Sequence, residues 1–547
     1  MTSQSCEALF LAGIPFIVEG EKEMKFGKSI KVVAGLAAAT LMLAGCGAGN
    51  GSSQSSSSNA AASTVVPGTI TAQLAYAGRN FDPGTTSLAL PMAGNWHVME
   101  ALYTRKMNDF TLVSGLAQGE PKMVSETEYE VTLRDGAKFS NGEAVTANDV
   151  KHSFERMMKE GSLFQPMLSF IGSIETKGDN VVVFKLNKPF KLVKDRLSLV
   201  GIVPASMSDE ELQKMPVGSG PYKYTNITDQ QVTFEKNDNY NGEWKAPSDK
   251  MVWNSNVDDT ARVTAMQSGQ NDVMENVPVK AFETLKSAGS EIQSVQSFNQ
   301  AFIMFNTKKA PFDKKEVRQA VFYGIDAEAL IKNQMGGQAT PVTGFLPESF
   351  KYYKKGKNVY TYDVAKAKKL IKDAGVSEGT SFTLYTTDQT WITELAPQIK
   401  NNLEALGFKV DIKSMKSASL FPNITDKEDA DYSMVLAPGD PTVFGNDPDV
   451  LLNWWFGDNA WTKTRTFWKG SEGYNKLHEY MDKAVVAESE SDREAAWGQA
   501  MDIISDEVPL YPLFHRTLST AVRKGVFKEY KAAGTTGLFF IGSELSK

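Results

Sequence analysis

From residue 68 onward, short apolar runs alternate with stretches in which apolar positions recur at helical spacing, a pattern that predicts an α/β architecture. Residues 181–186 and 300–306 read as strands. The second holds a continuous run, Ala301-Phe302-Ile303-Met304-Phe305, suited to a sheet covered on both faces. Asp363 is placed to cap a helix whose positions Val364, Ala367, Leu370, Ile371 and Ala374 share one side, with Gly375 just past its end. A further helix carries Ile392, Leu395, Ile399, Leu403 and Leu406, stops at Gly407 and leads into a strand over 408–412. Strand, helix and strand in succession predict a parallel pair joined by a crossover.

The first residues follow another pattern. Lys25, Lys28 and Lys31 precede an apolar or small-residue stretch over 32–44, which ends in Leu43-Ala44-Gly45-Cys46. This is the layout of an export signal, too short for a comfortable membrane span. It predicts a signal peptide within 1–45, with Met24 as the true start. The Leu-Ala-Gly-Cys ending resembles a bacterial lipobox, which implies cleavage before Cys46 and lipidation of its thiol. Residues 47–64 are almost wholly Gly, Ser, Asn, Gln and Ala, a flexible coil, so 46–66 reads as a lipidated cysteine and its tether.

Composition narrows the function. With 547 residues, 41% of them hydrophobic and 22% charged, the chain has material for two or three globular domains. A net charge of -7 and the absence of a long Lys/Arg run argue against a nucleic-acid partner, which needs clustered cations to displace counterions. The two cysteines, Cys6 and Cys46, both precede the globular part, which excludes a disulfide framework and a thiolate metal cluster there. No cofactor is expected.

Lys138-Phe139-Ser140-Asn141-Gly142-Glu143-Ala144-Val145-Thr146-Ala147-Asn148-Asp149-Val150 combines a tight-turn Asn-Gly pair with an N-cap at Thr146 and a helical face of Val150, Phe154 and Met157. The segment is similar to the signature region of family 5 extracellular solute-binding proteins, the oligopeptide, dipeptide and nickel receptors of ABC importers. Further matches follow in the family's order: Val217-Gly218-Ser219-Gly220-Pro221-Tyr222, Asn306 with Pro311-Phe312, Val317-Arg318-Gln319-Ala320 with Ile325-Asp326, the helix after Asp363, and Val508-Pro509-Leu510-Tyr511-Pro512-Leu513.

The resemblance implies a bilobed clamp of the periplasmic-binding-protein kind with an extra domain, its discontinuous lobes joined by hinge strands. Domain I is then assembled from 67–95, 205–300 and 506–547, domain II from 96–204 and domain III from 301–505. It further implies a monomeric receptor, lipid-anchored at Cys46 on the extracytoplasmic face of a bacterial membrane. Such a receptor closes on a peptide ligand, most plausibly an oligopeptide, and delivers it to importer permease subunits.

Candidate binding residues concentrate after residue 436. In peptide-binding relatives an Asp at the position of Asp440 accepts the ligand's ammonium, and a charge-assisted bond of that kind is strong once water is excluded. Gly439-Asp440-Pro441 is equally a turn composition. Relatives commonly carry Trp where this chain has Ala437, and dipeptide receptors hold the ligand carboxylate with an Arg in the loop matching Thr386-Thr387-Asp388-Gln389-Thr390, where none occurs. The missing Arg favours longer peptides, or ligands without a carboxylate at that point. Trp454, Trp455, Phe456, Trp461, Phe467 and Trp468 form an aromatic cluster that either walls a pocket or belongs to the core. Asn95 and Trp96 are candidates of the same kind at the first lobe. Oligosaccharides and other solutes remain alternative ligands, with metal chelates behind them.

Enzymatic readings find little support. His97, His152, His478 and His515 are scattered, and His478-Glu479-Tyr480-Met481-Asp482 lacks the second histidine of the metalloprotease motif. No nucleophile elbow or phosphate-binding loop is present. Asp447 and Asp449 imitate a glycosidase carboxylate pair, but Asn446-Asp447-Pro448-Asp449 reads as a turn. A surface hydrolase therefore stands only as the distant alternative to a transport receptor.

Overall fold

The computed structural model describes residues 68–546 apart from 77, 87, 160, 161 and 163; the expected signal peptide, Cys46 and the tether lie outside the described residues. No helix among the described residues is long and apolar enough to cross a membrane.

The main sheet is built from ten strands in chain order: β1 (Thr69–Leu74), β2 (Tyr222–Ile227), β3 (Gln231–Lys236), β4 (Lys250–Ser255), β5 (Val273–Met274), β6 (Ser290–Phe305), β7 (Ser381–Thr387), β8 (Lys409–Met415), β9 (Met434–Gly439) and β10 (Leu510–Arg523). Their spatial order is β8-β7-β9-β6-β10-β5-β1-β4-β3-β2, with Ala339–Pro341 added against β10. On one side, β7 runs parallel to β8 and β9; on the other, β1 runs parallel to β4 and β5. The two halves are joined through β6 and β10, antiparallel strands of 16 and 14 residues that serve both sides at once. A separate four-stranded antiparallel sheet over 122–186 lies in the segment between β1 and β2.

The local elements form for the reasons legible in the chain. Thr146 and Asp149 make a reciprocal capping box at the start of α1 (Ala147–Met157), whose Val150, Phe154 and Met157 are buried. Gly142 takes φ 94, as the Asn-Gly turn demands. Asp363 caps α2 (Val364–Asp373) through the Lys366 N–H, and Gly375 has φ 69 beyond its end. The crossover between β7 and β8 is α3 (Thr390–Ala405), with Ile392, Leu395, Ile399 and Leu403 buried. The apolar run 301–305 is entirely buried, though its strand begins ten residues earlier than its hydrophobicity indicates. That first stretch, 290–297, alternates polar and half-buried positions, so periodicity alone gives no continuous strand signal there.

The Val217-Gly218-Ser219-Gly220 motif owes its glycines to close backbone approach. A Cβ on Gly218 would stand 2.2 Å from the Val98 carbonyl oxygen, and one on Gly220 would stand 2.7 Å from the Val98 carbonyl carbon. Gly220 N–H donates to that same Val98 oxygen at 2.8 Å. Because the obstacle is main chain, it cannot rotate aside.

His97 is completely buried, with its Nδ1 2.9 Å from the Ala93 carbonyl and its Nε2 accepting the Phe540 N–H at 3.0 Å. The Nε2 lone pair must stay free for that bond, so the ring is neutral. Burial pulls its pKa down to about 4, and does the same for His515. Between pH 6.5 and pH 4 the unfolded chain binds protons on these rings that the folded chain does not, so stability falls as pH falls.

Two outcomes are expected. Gly220→Ala lowers unfolding stability by about 1–3 kcal/mol through overpacking, measured in urea. Acidification from pH 7 to pH 4 costs up to about 3 kcal/mol for each buried histidine, and a His97→Gln variant loses part of that pH dependence.

Candidate functional site

The register of β6 against β10 shifts at two places: Gln296 pairs with Thr517 and Gln300 with His515, so Ser297, Phe298 and Asn299 oppose the single residue Arg516, and Ala301 pairs with Phe514 but Phe302 with Pro512, which leaves Leu513 extra. Such an irregularity bends the strand and re-aims side chains. It lies where the two halves of the sheet meet, and the polar groups brought to this seam form the candidate site.

Asp440 follows the last residue of β9 and caps a 3-10 turn, Pro441–Phe444. Its Oδ1 accepts the Thr442 N–H at 3.2 Å and the Thr442 hydroxyl; its Oδ2 accepts from the Thr536 N–H at 2.9 Å, the Thr536 hydroxyl at 2.8 Å and the Thr535 hydroxyl at 3.3 Å. The carboxylate thus bridges the β9 side to the C-terminal segment, and every lone pair has a donor from the chain itself. Asn299 extends the line by donating to the Thr536 hydroxyl at 3.3 Å. One residue on, Gly537 N–H donates to Glu275 at 3.1 Å, as does the Tyr76 hydroxyl at 3.1 Å. Burial pushes the Glu275 carboxyl above its usual range, against the pull of these two bonds.

The seam also collects buried polar atoms with no partner in the protein: Glu275 Oε2, Asn299 Oδ1, both amide atoms of Gln300, the hydroxyls of Thr386 and Thr387, Trp455 Nε1 and Arg516 Nε. Buried polar groups in folded proteins are ordinarily satisfied, and a cluster of exceptions marks a place where something else supplies the partners. Gln300 pairs directly with Gly439 and His515 in the sheet, one residue before Asp440.

The aromatic candidates divide. Trp455 is almost wholly buried and covers Gly439 so closely that a Cβ there would lie 2.3 Å from the ring. Trp461 packs edge-on against it at 4.5 Å between ring centres and carries Arg465 on its other side. Phe456 and Trp468 are core, while Trp454 and Phe467 are half-buried. Trp454 contacts Phe444, and Phe444 contacts Phe164. Trp96 packs under Gly537, on the far side of the 535–537 loop from Asp440. Asn95 is held by the Phe81 carbonyl and the Tyr224 hydroxyl, so both ends of its amide are used within the first half of the molecule. A cavity of about 110 Å³ lies between these groups, lined by Met92, Met99, Met107, Trp96, Phe164 and Phe444 among others.

Asp447 and Asp449 are not the simple turn their composition indicates. Asp447 caps a helix, Pro448–Phe456, and both carboxylates grip the fully buried Arg196 at 2.8 and 2.6 Å. Both carboxylates are spent on this one guanidinium, although Asp449 also lines a cavity of about 310 Å³ with Asn453, Asp458 and His478. His478 bonds to the Phe456 carbonyl, and among the described residues no group of three His, Cys, Asp or Glu side chains is placed to hold a metal ion.

Motif matching along the chain singles out Asp440 but passes over Glu275, Asn299, Gln300, Thr536 and Arg516. The available signal was weak: a His515-Arg516 pair directly after the apolar run Leu510-Tyr511-Pro512-Leu513-Phe514, and Gln300 at the head of a fully apolar run.

Replacing Arg196 with Ala strands two buried carboxylates and is expected to cost about 3–5 kcal/mol, measured by denaturant unfolding; Arg196→Met combined with Asp447→Asn and Asp449→Asn recovers part of the loss.

The comparisons with known proteins agree with this architecture. The model of bacterial extracellular solute-binding proteins, family 5 Middle, matches residues 111–464. A glutathione-binding protein GsiB from Pectobacterium atrosepticum is 30% identical over 335 residues, 58% of this chain and 64% of that protein. GsiB of Escherichia coli is 26% identical over 414 residues, 73% of this chain and 79% of its own length. Among solved structures, the periplasmic binding protein DppA from Helicobacter pylori in complex with the peptide STSA superposes with a TM-score of 0.77 at 24% identity, covering 88% of this chain and 98% of that one. AgaA from A. tumefaciens R10, in complex with agropinic acid, gives 0.77 at 25% identity over 88% and 99%. The fold is the bilobed one of periplasmic binding proteins, and the chain belongs to the family 5 bacterial extracellular solute-binding proteins.

Proposed function

We propose that the protein is the solute receptor of an ABC importer and that its solute is a peptide with a free amino terminus. The observation that carries this reading is the position of Asp440: a carboxylate on the seam between the two halves, with three of its five bonds made to Thr535 and Thr536 across the junction. When the halves part, those bonds open and the carboxylate is left with only Thr442. A ligand ammonium offers three donors and a compensating charge, a stronger partner than neutral hydroxyls. The unpartnered amide of Gln300 and the hydroxyls of Thr386 and Thr387 supply the mixed donors and acceptors that a peptide backbone needs.

The methionine- and aromatic-lined cavity beside the 441–444 turn suits an apolar ligand side chain. Trp96, Trp454, Trp455 and Trp461 then frame the ligand, with Gly439 leaving room for the Trp455 ring and Asn95 fixing the position of its neighbour Trp96. A solute larger than the cavity of about 110 Å³ enters by opening of the halves at the 297–299 break. The names of relatives support a peptide class: GsiB is described as glutathione-binding, and DppA is seen with a peptide. Export and acylation at Cys46 complete the proposal, placing the receptor outside the membrane on a lipid anchor, where it meets the permease subunits as a monomer.

The test incubates the purified protein with separate peptide and oligosaccharide pools and identifies retained molecules by mass spectrometry after denaturation. Peptides are expected to be retained, with Asp440→Ala or N-acetylation of the peptide weakening capture at least tenfold. Retained sugars, or peptides indifferent to both changes, overturn this reading of the site.

A further inference from the structure

Every arginine among the described residues but one forms an ion pair with a carboxylate. The exception is Arg516. Its guanidinium lies over the Trp391 ring at 4.3 Å, its Nη2 donates to the Asn276 side chain at 3.1 Å, and its Nε is buried without an acceptor. Asp440, Glu275 and Tyr76 lie within its electrostatic reach, yet none is bonded to it. A half-buried cation that stacks on an aromatic ring, is steered by one neutral amide and lacks a counter-ion is costly as it stands. It is also preorganised for an anion, because stacking fixes the guanidinium plane and leaves donors in that plane.

Its place in the fold adds a second, independent argument. Arg516 is the single residue opposite the three-residue break 297–299, so the same irregularity that joins the halves aims this side chain. Trp391 begins four residues after Thr387, at the N-terminal turn of the helix that follows the 386–390 loop. That loop carries no Arg of its own, and the tertiary structure brings one to its edge from β10.

We propose that Arg516 is the carboxylate anchor of the solute site, and that the solute is a short zwitterionic peptide whose free carboxyl terminus binds Arg516 while its ammonium binds at Asp440. The inference rests on the peptide reading given above and narrows it, because the two charges sit close enough to interact. A long peptide places its termini too far apart to use both.

The test uses an equimolar library of di-, tri-, tetra- and hexapeptides, each as free acid and as C-terminal amide, with the purified protein and with Arg516→Gln and Arg516→Lys. Retention is read by mass spectrometry and affinities by calorimetry on the retained members. The wild-type protein is expected to favour free acids over their amides by at least tenfold and di- and tripeptides over hexapeptides. Arg516→Gln is expected to abolish the acid preference, and Arg516→Lys to keep part of it. Equal retention of acids and amides by the wild-type protein overturns the Arg516 anchor and leaves the peptide reading standing; this arm needs no variant to fold. Preference for hexapeptides overturns the two-charge clamp. Retention of no peptide in either form overturns the peptide reading and this inference with it.

Discussion

The pairing of two long antiparallel strands, β6 and β10, is the interaction on which the rest of the molecule depends. Their outer portions pair with strands of opposite halves, so one continuous hydrogen-bonded ribbon carries both sides of the sheet. A ribbon of this kind resists sliding, because backbone bonds run along its length, yet it bends where the register slips. The register slips at 297–299 and again between Ala301 and Phe302, close to where the two halves meet.

The charge arrangement follows from the same constraint. Ion pairs elsewhere are closed within the protein: Arg196 is fully buried between Asp447 and Asp449, and Arg134 pairs with the buried Glu100. At the seam the rule is relaxed. Asp440 is satisfied by hydroxyls and amides, Arg516 has no carboxylate, and several buried amide and hydroxyl atoms have no partner. A protein that left such groups unpaired without purpose would lose stability at each.

Much of the fold was legible in the chain because its determinants are local. The capping box at Thr146 and Asp149, the Asp363 cap, the Gly375 stop, and the run 301–305 each depend on neighbours within a few residues. The first part of β6 was not legible, since its residues are half-covered by segments far away in sequence and carry no hydrophobic period. Of the aromatic cluster, periodicity could not separate the core rings Phe456 and Trp468 from Trp454, because one helix turn decides which face meets the interior.

The sequence by itself determined the family and the α/β alternation and pointed to one acidic residue worth testing, all of which reside in contiguous motifs. Only the tertiary structure decided the company that residue keeps. Thr536 is 96 positions from Asp440, Glu275 is 262 from Gly537, and Asp447 is 251 from Arg196. The 386–390 loop carries no Arg, and the fold brings Arg516 from the closing strand over Trp391, just after that loop. A binding site between lobes is assembled from strand ends that meet only when the sheet forms, so its charges pair across distances that no linear pattern records.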